Sequence, residues 1–587
     1  MNRVVTACCI VTAAALAACH HGNDSSPPPA GSFTIGGTVT GLAGTGLVLR
    51  NNGGNDLAVA ANGAFVFAGG LANGAAYAVT VRTQPSAPTQ DCVVGNGSGT
   101  VAGANVANIT VTCTTRSFNL GGTVSGLTGT GLMLRDDVSG VTIPVNSGST
   151  TFQFPAAAPS GSHYLVTIAA QPAGNPAQVC TLGNGAGVVG GADTAIAVIC
   201  DSGTAKFVYV PDPTLGNVAA LRVDAGTGTL VAVLGSPFAT GAGPSSIVAT
   251  PLGTFVYVLS QASGQISGFA VDAASGVLTP VPGSPFAATG GNASAGRLLI
   301  DPSGRFLYAQ QNGSSLLFGH AIDASTGALT AIPGSPFTVP TGTATLVFDP
   351  LGRYAYSLAG GAAGASSGFR IDAATGALTA AGTPVATVTQ NVPVGAVHPG
   401  GSFVYDTDAT RVHALKADLT TGQLSSIGTD FTGGGRYARI DPLGRFLYLT
   451  RDNEVVGFAI SAQSGVLAQV PGSPFQWGTQ TESLDIDPSG SYLYVPSVLS
   501  GQVAGFKIDP TTGTLAHVPG SPYVIGVNTN PNHARVDKSG RSLFVSSFGD
   551  DKLRKFTIAA DGSLSLSSTV SLSNVGNPPS FILVGTQ

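Results

Sequence analysis

One pattern of turns and strands repeats from Lys206 to Gln587. Each unit has an Asp-Pro-x-Gly turn, a short strand ending in Tyr or Phe, a second strand and a Thr-Gly-x-Leu turn. The unit recurs eight times, at spacings of 43 to 51 residues. The aromatic residues of the units are Tyr209, Tyr257, Tyr308, Tyr356, Tyr405, Tyr448, Tyr494 and Phe544. A period of this length is typical of a four-stranded blade, so the sequence predicts an all-β fold with a β-propeller.

The two ends of the repeat region predict how the ring closes. The first blade begins at Phe207, and no inner-strand sequence precedes it. The region ends with an inner-strand sequence from Pro579 to Val584. We expect this last segment to complete the first blade, because closure removes the exposed edges of an open sheet. The count is then eight blades. Seven blades is the alternative, if the unit around Tyr356 or Tyr405 is an insertion.

The turns between strands explain most of the recurring aspartates. In Asp301-Pro302-Ser303-Gly304, proline presets φ at the second position and glycine tolerates the last position of a type I turn. We interpret these aspartates as turn caps, not as metal ligands. No Walker sequence, HExxH motif or Asp-rich calcium loop is present, so the sequence predicts neither a metal nor a cofactor.

A second, shorter repeat precedes the propeller. Residues 35–50 return as residues 120–135, and Tyr77 returns as Tyr164. Alternating apolar and polar residues predict strands, hence two small β-sandwich-like domains at 33–115 and 116–201 before a propeller at 202–587. Neither copy groups residues that could react, so both are interpreted as spacers or adhesive modules.

Four of the seven cysteines fall in these two copies. Cys92 and Cys113 are 21 residues apart, and Cys180 and Cys200 are 20 apart. We predict one disulfide in each copy, Cys92 to Cys113 and Cys180 to Cys200. Zinc is the competing interpretation, and the wide spacing and export signal favour disulfides.

The N-terminus carries an export signal. Arg3 precedes an apolar run, and the sequence Leu16-Ala17-Ala18-Cys19 resembles the lipobox of bacterial lipoproteins. The resemblance implies removal of residues 1–18, lipidation of Cys19 and a flexible tether at 19–32. His20 after the cysteine resembles a signal for sorting to the outer membrane. The alternative is an ordinary secretory signal.

Composition limits the choice of partner. Charged residues make up only 9% of the chain, and the net charge is −5. Because no cluster of lysine or arginine is present, nucleic acid is excluded as an expected partner. Membrane attachment is expected through the lipid anchor only. The expected ligand is a carbohydrate, a lactone or a protein bound at the mouth of the propeller.

The propeller region as a whole resembles the bacterial β-propeller lactonase family, which includes 6-phosphogluconolactonase and muconate cyclases, and the Tyr-Val-Thr-Asn repeats of surface proteins. That family is usually seven-bladed. Its motifs resembling Gly-Pro-Arg-His, Ala-Glu-Ile and Pro-Arg begin consecutive inner strands. The matching segments here are Gly435-Arg436-Tyr437, Thr481-Glu482-Ser483 and Pro531-Asn532-His533. Tyrosine replaces the histidine, the acid is kept, and the arginine is lost.

The resemblance leaves two hypotheses of different class. In the first, the chain is an anchored binding or scaffold protein that uses the propeller mouth. In the second, it hydrolyses a lactone with Glu482 as the base and with Arg436, Tyr437 and His533 around it. Opening a lactone needs a base to activate water and a donor for the developing oxyanion.

Overall fold

The structure is a computed structural model. It describes residues 31–173, 178–201, 205–224, 227–288, 295–311, 315–340, 343–359, 364–387, 394–408, 410–428, 430–572 and 581–585. All regular elements in these residues are β-strands, which confirms the predicted fold class. The predicted signal peptide and Cys19 lie outside the described residues. No helix in the described part of the chain is long and apolar enough to cross a membrane.

The chain divides into two compact units. One unit extends to Ser117 and includes Pro159–Gly161, and the other contains Phe118–Ala158 and Ser162–Gln587. The first unit is a sandwich of two four-stranded sheets, ordered β5-β2-β10-β8 and β4-β3-β7-β9, with the short pair β1-β6. Its strands are β1 (Ser32–Phe33), β2 (Ile35–Thr40), β3 (Leu47–Asn51), β4 (Asn55–Val59), β5 (Gly63–Val66), β6 (Leu71–Ala72), β7 (Ala76–Thr83), β8 (Gln90–Gly95), β9 (Ser98–Thr100) and β10 (Val106–Thr115).

The next ten strands repeat this topology as a second sandwich. Its sheets are ordered β15-β12-β20-β18 and β14-β13-β17-β19. The strands are β11 (Ser117–Phe118), β12 (Gly121–Ser125), β13 (Leu132–Asp136), β14 (Thr142–Val145), β15 (Thr151–Gln153), β16 (Ala158–Pro159), β17 (His163–Ala170), β18 (Val179–Gly183), β19 (Ala186–Val188) and β20 (Ile196–Asp201). The sequence repeat is therefore a repeat of structure.

Both predicted disulfides are confirmed. Cys92 and Cys113 lie directly opposite each other on antiparallel strands β8 and β10. Cys180 and Cys200 occupy the same positions on β18 and β20. All four side chains are buried in the sandwich cores, so each bond links the edge strand of a sheet to its neighbour. The zinc interpretation is wrong, because each thiol is already bonded to its partner.

The described residues from 205 to 585 form eight further sheets, the blades of the propeller. Blade 1 contains β21 (Phe207–Asp212), β22 (Asn217–Val223), β23 (Leu230–Ala232) and β24 (Phe238–Ala239). Blade 2 contains β25 (Pro244–Ala249), β26 (Phe255–Ser260), β27 (Gln265–Val271), β28 (Leu278–Pro280) and β29 (Phe286–Ala287). Blade 3 contains β30 (Ala295–Ile300), β31 (Phe306–Gln311), β32 (Leu316–Ile322), β33 (Leu329–Ala331) and β34 (Phe337–Thr338). Blade 4 contains β35 (Thr343–Phe348), β36 (Tyr354–Ala359), β37 (Ala365–Ile371), β38 (Leu378–Ala380) and β39 (Val385–Ala386).

The remaining blades follow the same plan. Blade 5 contains β40 (Val394–Val397), β41 (Phe403–Thr407), β42 (Arg411–Ala417), β43 (Leu424–Ser426) and β44 (Phe431–Thr432). Blade 6 contains β45 (Tyr437–Ile440), β46 (Phe446–Arg451), β47 (Glu454–Ile460), β48 (Leu467–Gln469) and β49 (Phe475–Gln476). Blade 7 contains β50 (Asp485–Ile486), β51 (Tyr492–Ser497), β52 (Gln502–Ile508), β53 (Leu515–His517) and β54 (Tyr523–Val524). Blade 8 contains β55 (Pro531–Val536), β56 (Ser542–Ser547), β57 (Lys552–Ile558) and β58 (Leu564–Ser571), and the last strand is β59 (Ile582–Val584). The units around Tyr356 and Tyr405 each form a sheet of their own.

The last strand closes the ring as predicted. β59 pairs antiparallel with β21, with Leu583 opposite Val208 and Val584 opposite Phe207. Blade 8 also contacts blade 1 directly, since the backbone N–H of Leu230 donates to the Ser568 hydroxyl at 2.9 Å. The inner strand of blade 1 therefore comes from the end of the chain.

The repeated tyrosines join each blade to the next. Each hydroxyl donates to the carbonyl of the turn glycine in the following blade, in the pairs Tyr209–Gly276, Tyr257–Gly327, Tyr308–Gly376, Tyr405–Gly465, Tyr448–Gly513 and Tyr494–Gly562. Glycine is required at the acceptor, because Gly376 has a φ of 77° and a Cβ there would lie 2.4 Å from the Phe306 ring. The Thr-Gly turn is thus part of the contact between blades.

One tyrosine of the series breaks the pattern. The buried hydroxyl of Tyr356 has no hydrogen-bond partner among the described residues. The expected acceptor in blade 5, the carbonyl of Gly422, lies instead against Gly368. A Cβ added to Gly368 would be 2.0 Å from the Gly422 carbonyl oxygen. Tyr356 and Tyr308 therefore have equivalent positions but different hydrogen bonding.

This difference gives a matched pair of substitutions. Tyr308→Phe is expected to lower the free energy of unfolding of the propeller by about 1–3 kcal/mol, because it leaves the Gly376 carbonyl unpaired in the interior. Tyr356→Phe is expected to be neutral or stabilising, since it removes a hydroxyl that lacks a partner. Calorimetric melting of both variants checks this. Equal losses in the two variants would contradict it.

The aspartates of the turns act as caps. Asp301 Oδ1 accepts the backbone N–H groups of Arg305 and Phe306 at 2.9 and 2.7 Å. Asp487 Oδ1 accepts those of Ser491 and Tyr492 at 2.8 and 2.6 Å. The interpretation of these residues as turn caps is confirmed.

Candidate functional site

The inner strands of blades 6, 7 and 8 hold the side chains that the sequence singles out. In blade 8 the pairing shifts by one residue between Pro531 and His533, which leaves Asn532 as the extra residue of a β-bulge. In blade 7 Thr481 lies opposite Ser497 although Asp485 lies opposite Tyr494, so one extra residue occurs there too. The same shift occurs where the inner strands of blades 2, 3 and 4 begin, so the bulge belongs to the plan of the blade, and it changes the direction of the side chains beside it.

Tyr437 and His533 contact each other at the inner edge of the ring. Tyr437 belongs to blade 6 and His533 to blade 8, and blade 7 lies between them in the ring. Their ring centroids are 6.3 Å apart, at an interplanar angle of 77°. Contact between two blades that are not neighbours places both rings at the axial opening, in the edge-to-face arrangement that aromatic pairs favour.

Glu482 lies beside this aromatic pair. Gln480 Nε2 donates to Glu482 Oε1 at 3.1 Å. Burial raises the pKa of the Tyr437 phenol, and the nearby Glu482 carboxylate raises it further. Glu482 stands five residues before Asp487 of its turn, whereas Tyr437 stands four residues before Asp441. The position that corresponds to Tyr437 in blade 7 is therefore occupied by Ser483.

Arg436 lies apart from the three other predicted residues. Its side chain is exposed, and its guanidinium lies 3.5 Å from the carboxylate of Asp452 on the adjacent hairpin. The structure thus groups Tyr437, His533 and Glu482 and directs Arg436 toward a partner outside the group.

Unusual backbone conformations occur around the same blades. The residues other than glycine that have positive φ among the described residues of the propeller are Asp452, Gln480, Asn528, Asn530 and Asp551. All five belong to blades 6, 7 and 8 or to their connections. Such conformations carry a cost and cluster at functional sites, although asparagine and aspartate tolerate them better than glutamine.

A second layer of charged residues lies two positions further along these strands. Arg439 and Arg535 each stand two residues before the turn aspartate, and Asp485 has the same position in blade 7. Asp485 Oδ1 lies 3.6 Å from Arg439 Nε, and Asp485 Oδ2 accepts the backbone N–H of Val536 at 2.9 Å. Arg439 and Arg535 both lower the pKa of Tyr437 and so oppose the effect of its burial.

Arg297 reaches the same opening from the other side of the ring. It belongs to the inner strand of blade 3, and its positive charge also lowers the pKa of Tyr437 in blade 6. The axial opening therefore brings together three arginines, two carboxylates, one tyrosine and one histidine. The described residues contain no group of three or more His, Cys, Asp or Glu side chains that could hold a metal ion.

The second sandwich crosses the face of the propeller that carries the Asp-Pro turns. His163, where β17 begins, lines a small cleft with Arg353 of blade 4. Ala170, where β17 ends, lines a cleft of about 910 Å³ with Pro488 of blade 7 and Gly540 of blade 8. Because blades 4 and 8 are opposite in a ring of eight, β17 spans the axis on this face. The bulged ends of the inner strands lie at the other face.

Comparison with known proteins gives the family. The model described as lactonase, 7-bladed beta-propeller matches residues 198–394 and 408–527, more than half of the chain. The chain belongs to this family. A search of curated proteins found no significant match.

Solved structures share the propeller with this lactonase-family chain at low identity. The periplasmic gluconolactonase PpgL of Pseudomonas aeruginosa is 18% identical, with a TM-score of 0.43, and the match covers 65% of this chain and 100% of PpgL. Apo AztD from Citrobacter koseri is 13% identical, with a TM-score of 0.44, and the match covers 64% of this chain and 98% of AztD. Likenesses of this degree assign no activity to the chain.

The family match ends before the eighth blade begins. Its last residue is 527, and β55 starts at Pro531. His533 and Arg535 therefore lie beyond the residues that the family model matches. Among the residues that sequence reasoning missed, Arg439, Asp485 and Arg535 share one signal, a charged residue two positions before the turn aspartate. Arg297 has a different signal, because it stands four residues before Asp301, the position that Tyr437 and His533 have before Asp441 and Asp537.

Proposed function

We propose that the chain is an exported, lipid-anchored binding protein that holds a small hydroxylated ligand, a carbohydrate or a lactone, at the axial opening. The observation that carries the proposal is the contact between Tyr437 of blade 6 and His533 of blade 8, with Glu482 of blade 7 beside them. An apolar ring surface with a few convergent polar groups is the usual composition of a small-molecule site. The ligand enters from the face that bears the bulges, since the second sandwich spans the other face.

The anchoring part of the proposal rests on the first 32 residues and on the sandwiches. Cys19 takes the lipid, and the two sandwiches lie between it and the propeller along the chain. Buried disulfides in both sandwiches support a location outside the cytoplasm, because such bonds persist in oxidising compartments. Labelling with a radioactive fatty acid, compared with a Cys19→Ser variant, tests the anchor.

Lactone hydrolysis is the second candidate, and membership of the lactonase family favours it. In that reaction Glu482 takes a proton from water, and the hydroxide formed attacks the lactone carbonyl. The oxyanion of the tetrahedral intermediate accepts a hydrogen bond from His533. Collapse then breaks the ring C–O bond, and the departing oxygen takes the proton from Glu482 to give a hydroxy acid. Two features of the site favour binding over this reaction. Arg436 pairs with Asp452 and so does not point toward a lactone carbonyl. In blade 7, Ser483 and not Glu482 occupies the position that Tyr437 has in blade 6.

Ligand titration tests the binding site. A panel of sugars, aldonolactones and aromatic lactones is titrated into the full chain by calorimetry. For each ligand that binds, we expect Tyr437→Ala and His533→Ala to weaken binding at least about tenfold, since each removes a packing surface and a polar group. His517→Ala, which removes an exposed histidine of the outer part of blade 7, should leave binding unchanged. Equal affinities in all four proteins would contradict the site.

Turnover separates the two candidates. The same lactones are incubated with the wild-type protein and with Glu482→Gln, and acid release is followed by pH indicator. The binding proposal expects no turnover above the uncatalysed rate in either protein. Turnover that Glu482→Gln abolishes would establish the hydrolase instead.

A further inference from the structure

The cleft between the second sandwich and the turns of the propeller is large enough for a ligand. Its volume is about 910 Å³, and it is lined by the end of β17 and by the turns of blades 6, 7 and 8. Part of its wall is apolar and open to solvent, since Leu443 is 65% exposed and Pro488 is exposed beside it. Clefts where two domains meet are common places for ligands.

Arg541 lines this cleft and differs from the arginines at the same position in other blades. Arg353 and Arg445 each bind the turn aspartate four residues before them, at 2.9 and 2.8 Å, and each lies over the aromatic ring of the next residue. In blade 8 the next residue is Ser542, so no ring is present. The Arg541 guanidinium forms no ion pair or hydrogen bond with any residue that the structure describes.

The turn aspartate of blade 8 is engaged by other groups. Asp537 accepts the hydroxyl of Ser539 at 2.6 Å and the backbone N–H of Ala205 at 3.4 Å. It also accepts the backbone N–H of Arg541, but not the guanidinium. The charged end of Arg541 is therefore left at the wall of the cleft, where it is exposed.

The charge of the cleft wall is positive. Lys538, from the same turn as Arg541, also lines it. Among the described lining residues the acidic one is Asp487, which is buried and accepts two backbone N–H groups of its own turn. Such a wall is complementary to a carboxylate, which a guanidinium binds through two parallel, charge-assisted hydrogen bonds.

The sandwich side of the cleft offers the edge of a strand. β19 pairs with residues 163–165 of β17, whereas β13 pairs with residues 166–170 on the opposite edge. Residues 167–170 therefore have no second strand beside them in the described part of the chain. Gln171 and Gln178 also line the cleft, but their amides bind the backbone of the sandwich itself. An open edge of this kind accepts an extended peptide as an added strand.

We propose that this cleft binds an acidic segment of a partner protein in an extended conformation. Arg541 and Lys538 hold its carboxylates, and the free edge of β17 pairs with its backbone. Alternate side chains of the segment then pack against Leu443 and Pro488, because successive side chains of a strand point to opposite faces. The inference is independent of the function proposed for the axial opening, since the cleft lies on the face that carries the Asp-Pro turns.

Fluorescence anisotropy of labelled peptides with the full chain tests the site. The probe is a short peptide of alternating valine and glutamate, and the matched peptide has lysine in place of glutamate. We expect the acidic peptide to bind the wild-type protein, and Arg541→Gln to weaken this binding at least about tenfold, because charge-assisted hydrogen bonds are lost. Arg370→Gln, which changes an exposed arginine of blade 4 outside the cleft, should match the wild type.

A second variant and a third peptide test the strand edge. Ala169→Trp places a large ring at an exposed position of the cleft wall and should weaken binding of the acidic peptide to a similar degree. The acidic peptide with alternate backbone N–H groups methylated should bind at least about tenfold more weakly than the unmodified peptide, because it cannot complete a ladder of hydrogen bonds.

Three results would overturn the proposal. One is the absence of binding of the acidic peptide to the wild-type protein. Another is equal affinity of that peptide for the wild type, Arg541→Gln and Ala169→Trp. The third is a lysine peptide or a methylated peptide that binds as tightly as the unmodified acidic one.

Discussion

Phe581→Ala is expected to lower the free energy of unfolding of the propeller by about 3–5 kcal/mol, the usual cost of removing a buried phenylalanine. Phe581 immediately precedes β59 and is 2% exposed. Its ring packs in one cluster with Val208 of blade 1 and with Phe544 and Leu553 of blade 8. The substitution therefore leaves a cavity at the junction that closes the ring.

A substitution in the same blade provides the control. Leu566 lies on the outer strand β58 with 57% of its surface exposed, so Leu566→Ala should change stability by about 0.5 kcal/mol or less. Differential scanning calorimetry of both variants gives the comparison. A propeller transition at the same temperature in Phe581→Ala and the wild type would show that the last segment does not pack between blades 8 and 1.

Reduction of the disulfides is expected to destabilise each sandwich by about 3 kcal/mol. The bonds close loops of 21 and 20 residues, for which the chain-entropy estimate has this size. A loss of this size is a large fraction of the stability of a domain of fewer than about 100 residues. Calorimetry with and without a reducing agent measures it, and Cys200→Ser isolates the effect on the second sandwich.

The propeller is an internal control for the same experiment. No cysteine occurs after Cys200, so reduction should leave the propeller transition unchanged. If alkylation shows that the thiols are free and the sandwich transitions do not move, the disulfides contribute nothing measurable to stability.

The sequence was sufficient to predict the fold because each blade repeats the same local chemistry. Asp301 and Asp487 cap the turns of their blades. Tyr308 joins its blade to the next, as the tyrosines at the same position do in other blades. Closure by the segment after Pro579 followed from counting strands at the two ends of the region. The unpaired hydroxyl of Tyr356 could not be predicted, since it depends on where the Gly422 carbonyl lies in the next blade.

The site was predicted less completely than the fold. Tyr437, Glu482 and His533 were found from a resemblance to family motifs, and the structure brings them together. The motifs do not show the bulges, which separate the position of Glu482 from that of Tyr437. Nor do they show Arg297, because its approach to blade 6 depends on the diameter of the ring and not on distance along the chain.

The closed ring is the claim on which the site depends, and a designed cross-link tests it most directly. Val208 and Leu583 lie directly opposite each other on β21 and β59, as the native disulfide partners do on their own strands. In a Val208→Cys/Leu583→Cys variant, mild oxidation should give one new disulfide within the chain, identified by mass spectrometry of the linked peptides. Free thiols at both positions, or links only between chains, would contradict an eight-bladed ring closed by β59.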